Sequence, residues 1–306
     1  MNILKKITAI FIFSLAVLLM PLSGKAIVEK SLDLSGTTGV TNEEQLEIQD
    51  FVDSSKEARE KFVEEYNEAH PEDQVENTEP IINPIEKQAP RLLKKVVGAD
   101  NRVKANVNNS PYKQIGYMEM SFKKGNKMVW YVGTGTIIGS NKVLTAGHNL
   151  YDKSTRSWAN GVIFQPKMNN WVSPTYVTSS KLHIPVNWSS KGDSNYDIGV
   201  VTLSKSVSSY GSLKYRVPTA NTTLFSTISG YPGESPKAGS QWYGNGNGNA
   251  LITNQKISYS IDTTKGQSGS PIINNGSIIG VHTLGDSANS GVRITPALKS
   301  FIDGAK

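Results

Sequence analysis

From about residue 96 to residue 293, short apolar runs rich in Val, Ile, Tyr and Thr alternate with turns rich in Gly, Asn, Ser and Pro. That texture predicts strands rather than helices. The clearest fall at 114–122, 128–138, 142–146, 161–165, 198–203, 227–230, 256–261, 270–273 and 277–283, and the residues from Pro296 to Ile302 predict a terminal helix. No period of the kind that marks a solenoid recurs. The body is therefore all-β, with length for one large β unit or two small packed barrels.

Two other textures precede it. Lys5 and Lys6 stand before an apolar run from Ile7 to Leu22, followed by Gly24 and Ala26. This order predicts a secretory signal over residues 1–26; the alternative, a membrane anchor, fits less well because the run is short and its exit carries small residues suited to cleavage. In residues 27–95, Thr41 and Glu44 resemble a capping box, and Leu46, Phe51, Val52, Phe62, Val63 and Tyr66 leave an imperfect apolar stripe. One or two charged helices are expected there. Pro71, Pro80, Pro84 and Pro90 then break any helix, so 71–90 reads as an extended linker open to proteolysis.

Charge separates the same segments. Residues 27–95 hold 17 acids and 8 bases, a net −9, and residues 96–306 hold 9 acids and 21 bases, a net +12; the three lysines of residues 1–26 complete the overall +6. An acidic pro-segment on a basic body is the natural reading, with mutual attraction before they are parted. Cysteine is absent, which excludes disulfides and thiolate metal sites. For an exported chain this fits a bacterial surface or medium. The body's lysines are scattered rather than arrayed with aromatics, so its charge reads as solubility and attraction of acidic substrates, not nucleic-acid binding.

The chemistry centres on Asp262-Thr263-Thr264-Lys265-Gly266-Gln267-Ser268-Gly269-Ser270-Pro271. A serine enclosed by glycines looks like a nucleophile loop, but its hydroxyl needs a base and its reaction needs donors for an oxyanion. Val143-Leu144-Thr145-Ala146-Gly147-His148 ends an apolar strand in a turn that would present an imidazole, and Asn195-Tyr196-Asp197 places a carboxylate just before an apolar strand. Asp197 follows His148 by 49 residues and Ser268 follows Asp197 by 71. The order His, Asp, Ser suits a triad. Of the other histidines, His70 lies in the acidic segment, and His183, within Leu182-His183-Ile184-Pro185, reads as a partly buried loop residue. Gly244-Asn245-Gly246-Asn247-Gly248 lacks the lysine of a phosphate loop and reads as a hairpin tip.

Together with Val96-Val97-Gly98, Ser229-Gly230-Tyr231-Pro232-Gly233 and Val281-His282-Thr283, these motifs make the chain from about Val96 to Lys306 resemble the chymotrypsin-like serine proteases, and more narrowly the secreted glutamyl endopeptidases of Gram-positive bacteria. The resemblance implies two six-stranded antiparallel β-barrels, 96–205 and 206–306, the second ending in a helix. It implies that His148 deprotonates Ser268, that Asp197 holds the imidazole tautomer, and that the backbone N–H groups of Gly266 and Ser268 form the oxyanion hole. It further implies that Thr263, His282 and the new α-amino group at Val96 bind a glutamate at P1, with removal of the acidic pro-segment (27–95) as the activating event. No cofactor or metal follows from it.

The expected partners are protein or peptide substrates with acidic residues and an activating protease. Lys94-Lys95 suggests another enzyme rather than self-cleavage, Glu86 offers a partial self-cut, and Lys95 rivals Val96 as the new terminus. No nucleic acid, and no membrane after signal removal, is expected, and the mature form is expected to act as a monomer. Two alternatives stay open: a protease of other P1 specificity, and a protease-like surface binding protein without turnover. His282 also reads as a packed strand residue, and Lys265 as either an aid to acidic substrates or a solvent-facing side chain.

Overall fold

The computed structural model describes residues 56, 58–82, 96, 99–245, 248–285 and 289–305. The expected signal at 1–26, the cap at Thr41 and Glu44, the apolar positions Leu46, Phe51 and Val52, and Glu86, Lys94 and Lys95 lie outside them. Among the described residues, no helix is long and apolar enough to cross a membrane.

Alternation builds the first sheet. Ile115–Lys124 pairs antiparallel with Lys127–Ile137 on one side and with Gly161–Pro166 on the other. The ladder continues through Val177–His183 and Gly199–Leu203 to Lys142–Thr145, which returns to Lys127–Ile137 at Thr136 and Ile137. Six strands thus close into a barrel, which leaves few unpaired edges. Met118, Met120, Phe122, Ile137, Val143, Phe164 and Val201 fill it and are all but inaccessible to solvent.

The second sheet curls into a half-barrel. Its path runs from Thr222–Phe225 through Asn249–Ile252, Lys256–Tyr259, Asn289–Arg293, Ser277–Gly285 and Pro271–Asn274 to Thr227–Gly230. The first and last of these are consecutive in the chain, separated only by Ser226. Trp242–Gly244 pairs with Thr227–Gly230, while Asn249–Ile252 pairs with Thr222–Phe225. Both therefore run the same way along one neighbouring segment rather than facing each other across a hairpin, and residues 246 and 247 of the expected tip lie outside the described residues. Val177–His183 and Asn289–Arg293 were not among the predicted strands. Their polar residues, Ser179, Ser180 and Lys181 in one and Asn289 and Ser290 in the other, hide the alternation.

A shared core joins the two sheets: Ile115, Tyr117, Leu144 and Ala146 from the first meet Tyr231, Val281 and Val292 from the second. The terminal helix Pro296–Gly304 starts where the Thr295 side chain accepts from Leu298 N at 3.2 Å, and it buries Leu298 and Ile302 in the same core. A proline in the first turn costs no hydrogen bond there.

Part of the acidic segment is also ordered. Residues 58–69 form a helix, and Val63 is buried with Phe62 and Tyr66 packed beside it, as the stripe predicts. The linker differs from expectation after Pro71. Its residues 83–90 lie outside the described ones, and Glu76–Asn77 and Ile81–Ile82 are extended but pair in parallel with Lys127–Ile137 instead of standing off the body.

Candidate active site

One ladder delivers the proposed base and its orienting acid to the same place. Gly199 pairs with Thr145, so the turn after Lys142–Thr145 and the turn before Gly199–Leu203 emerge side by side. The first turn, Gly147–Asn149, carries His148, and the second follows Ser194–Tyr196 and carries Asp197. His148 and Asp197 are each about 1% exposed. One Asp197 oxygen accepts from His148 N at 2.7 Å, and the other lies 2.8 Å from His148 Nδ1. A carboxylate buried this deeply is tolerated because both oxygens have partners.

Ser268 sits in a turn that is tied to both sheets. Its carbonyl accepts from Thr134 N at 2.9 Å and from Asn149 Nδ2 at 3.1 Å, and Asn149 is the neighbour of His148. Its hydroxyl donates to Thr283 O at 3.2 Å. Gly266 and Gly269 have φ of +93° and +92°, and a Cβ on Gly269 would lie 2.0 Å from Thr134 O. Glycine is thus required on both grounds, backbone conformation and close approach. The Thr134 hydroxyl donates to Gly266 O at 3.2 Å and accepts from Tyr231 N at 3.0 Å, which sets the carbonyl of the glycine proposed for the oxyanion hole.

Thr263 and His282 flank this turn, and both are buried. His282 N donates to Ser270 O and Gly269 N donates to His282 O, each at 2.8 Å, so the histidine's own backbone straps the Ser268 turn. Its Nδ1 lies 2.6 Å from the Tyr259 hydroxyl. Burial pushes His282 down to about 4, only partly countered by a backbone hydrogen bond at Ser290, and a charge on His148 would lower it further. Burial also holds the Tyr259 phenol well above its ordinary range, so it stays protonated and suits donation to Nδ1. The ring is then neutral at pH 7. His282 is thus a packed strand residue, one of the two readings its sequence allows.

From Ala99 onward the chain runs to the same place. Val96 is half-buried. Asn101 N donates to Asp262 Oδ2 at 3.0 Å, next to Thr263, and Val103–Lys104 pairs with Trp242–Gly244. Arg102 is buried beneath the Ser268 turn. Its guanidinium donates to Thr264 Oγ1 at 2.8 Å, Gln267 Oε1 at 2.9 Å, Asp100 Oδ2 at 2.8 Å and Glu234 Oε1 at 2.6 Å. The hydrogen bond from Arg102 holds the Asp100 carboxyl well below the usual range. Lys265 is half-buried, and its carbonyl accepts from Gly233 N at 2.7 Å.

Sequence reasoning missed Arg102, Thr134 and Tyr259. Only Thr134 left a signal, since glycines on both sides of it inside a strand mark a close approach of another backbone. The remaining histidines lie elsewhere. His183 ends the strand Val177–His183 rather than sitting in a loop, with Nε2 3.1 Å from Thr202 Oγ1, and His70 stacks on Tyr66 in the acidic segment.

A closed barrel, a curled second sheet and a buried His–Asp pair beside a glycine-flanked serine define a serine endopeptidase of chymotrypsin fold. The chain belongs to the trypsin family, whose model matches residues 106–301. It is 36% identical to a glutamyl endopeptidase of Bacillus licheniformis, over 68% of this chain and 68% of that protein. A Bacillus subtilis protein named extracellular metalloprotease is 30% identical over 65% of this chain and 66% of its own. The solved structure of a Glu endopeptidase in complex with MPD superposes with a TM-score of 0.63 at 32% identity, covering 69% of this chain and 99% of that one. The protease Anisep of Arthrobacter nicotinovorans shares the fold, with a TM-score of 0.53 at 24% identity over 63% of this chain and 95% of its own.

Arg102→Met removes the cation shared by Asp100 and Glu234. It is expected to cost about 2–3 kcal/mol at pH 7, the range for hydrogen bonds to charged groups. Asp100 is lowered on folding, so its share of stability exists above its ordinary value of 3.8 and fades as the pH falls below it. Urea titrations at pH 7 and pH 3 should show the deficit shrinking with acid.

Proposed function

We propose that the chain is the precursor of an extracellular endopeptidase that cleaves after glutamate, and less well after aspartate. The observation that carries the specificity is His282: a buried, neutral imidazole, backed by Tyr259 and strapped to the nucleophile turn. A neutral ring that accepts at Nδ1 carries its N–H at Nε2, where a substrate carboxylate would take the place of the Ser290 carbonyl. Together with the Thr263 hydroxyl, that N–H suits the γ-carboxylate of a P1 glutamate. The relatives named for glutamyl cleavage and for an extracellular site support the same reading.

In the reaction, the Ser268 hydroxyl turns from Thr283 to His148. Its oxygen attacks the scissile carbonyl carbon as its proton passes to Nε2 of the imidazole, while Asp197 holds Nδ1–H and stabilises the imidazolium. The backbone N–H groups of Gly266 and Ser268 take the oxyanion. Collapse breaks the C–N bond, and the leaving amine collects the proton from His148. Water then attacks the acyl ester with His148 again as base, which releases the acid and restores Ser268.

Residues 1–26 direct export, and 27–95 form the pro-segment. Cleavage before Val96 would convert a peptide nitrogen into an α-ammonium group. The ties of Asn101 to Asp262 and of Arg102 to Thr264 support delivery of that charge beside Thr263. The mature enzyme acts as a monomer on peptides bearing acidic residues, after an activating protease has cut it.

Chromogenic peptides differing only at P1 test the reading on secreted protein whose N-terminus mass spectrometry finds at Val96. Glu should be cleaved at least about 100-fold better than Lys or Phe, a difference of about 2.7 kcal/mol in transition-state binding, and Ser268→Ala should cleave none. Equal turnover after Lys would remove the specificity, and no turnover of any peptide would remove the enzyme.

His282→Gln should lower kcat/KM for Glu substrates by about 10–100-fold, the loss of one hydrogen bond to a charge, with little change for a Phe peptide. The same variant alters acid stability. His282 falls on folding from 6.5 to about 4, so the unfolded chain binds the extra proton and stability is lost as the pH drops from 6.5 toward 4. That loss amounts to about 3 kcal/mol. Urea midpoints between pH 7 and pH 4 should therefore fall less steeply in His282→Gln than in the wild type.

A further inference from the structure

The strand Lys127–Ile137 is longer than the neighbour that closes the barrel on it. One edge pairs with Ile115–Lys124 throughout, but the other meets Lys142–Thr145 only at Thr136 and Ile137. The acidic segment occupies that second edge lower down: Glu76 and Asn77 pair with Lys127 and Met128, and Ile81 and Ile82 pair with Tyr131 and Val132. An open edge of this kind is a template for an added strand.

Side chains reinforce the ladder. Arg59, 3% exposed, donates to Glu119 Oε2 at 3.2 Å, and Glu119 is 2% exposed inside the body's own strand. The Phe62 ring meets Trp130 edge-on at 5.4 Å between centroids. It also fills the place of a side chain on Gly161, where a Cβ would come within 2.4 Å of the ring. The Trp130 indole N–H donates to Asn77 Oδ1 at 2.8 Å, and Thr78 Oγ1 donates to Met128 O at 2.9 Å. Met128 and Trp130 are fully buried and Ile163 is 1% exposed, in one apolar cluster with Ala58, Val63 and Val75 of the segment. Removing it would strip the guanidinium from Glu119 and uncover an apolar face, both strongly unfavourable.

We propose that residues 58–82 stay bound after the chain is cut, as a non-covalent helix-and-strand piece of the first barrel. This rests on reading 27–95 as a cleaved pro-segment. The partner of the exposed edge is thus the chain's own severed segment, and activation releases the new terminus at Val96 without emptying the seat. The seat also shares its strand with Thr134, whose N–H holds Ser268 O, so retention supports the nucleophile turn.

The test imposes the cut. A recognition site for a sequence-specific protease is inserted between Ile82 and Val96 of the full chain, the chain is cut to completion, and the fragments are run on size exclusion and native mass spectrometry in 0.15 M and 1 M NaCl. Both fragments should travel as one complex at both salts. Separation into a folded body and a free segment would overturn the proposal. Arg59→Ala leaves the body's sequence untouched and should weaken retention at least tenfold in a competition with added wild-type segment; retention equal to wild type would also overturn it. Because the cut is imposed, retention is read whether or not the chain is processed at Val96 in life, so the two readings fail separately.

Discussion

The buried carboxylate of Asp197 is the constraint on which the candidate site hangs. Stripped of water, the charge must be met by donors. The donors it finds are the backbone N–H and the ring Nδ1 of one residue, His148, at 2.7 and 2.8 Å. Binding the same residue twice leaves the imbalance of a buried charge satisfied only when the turn and the ring adopt one arrangement. With Nδ1–H committed to Asp197, Nε2 is the basic atom of the ring. The pairing of Gly199 with Thr145 explains why carboxylate and imidazole meet at all, since it brings two turns distant in sequence to one end of the barrel.

A second set of hydrogen bonds carries that order to the other sheet. Thr145 Oγ1 donates to Thr134 O at 2.7 Å, Asn149 Nδ2 donates to Thr145 Oγ1 at 2.9 Å, and Thr134 and Asn149 both hold Ser268 O. From the opposite side Arg102 holds Thr264 and Gln267. The serine turn is therefore braced from the first barrel above and from the start of the body below. This bracing by uncharged side chains and one shared cation accounts for a positive-φ turn that cysteine-free sequence cannot staple covalently. Pre-set geometry of this kind is what an oxyanion site requires.

Legibility followed the range of the forces involved. The strands at 142–146, 198–203 and 227–230 were readable because their apolar residues are contiguous and their ends carry turn residues, and His148, Asp197 and Ser268 stood out as candidates because each sits in a local motif. Val177–His183 was not, since its outward Ser and Lys residues mask a two-sided strand. Arg102 and Tyr259 had no local signal at all: their roles arise from partners 162 and 23 residues away. The linker illustrates the same limit. Pro-rich composition implied extended backbone, which Glu76–Asn77 and Ile81–Ile82 adopt, but whether extended backbone floats or docks depends on an open strand edge elsewhere in the chain.

Labelling the processed protein with a fluorophosphonate and locating the adduct by peptide mass spectrometry tests the chemistry most directly. Activation of Ser268 by His148 predicts a single adduct on Ser268, formed in step with loss of peptidase activity and reduced to background in His148→Ala. An adduct on another serine, or labelling of Ser268 that is unchanged in His148→Ala, would contradict it.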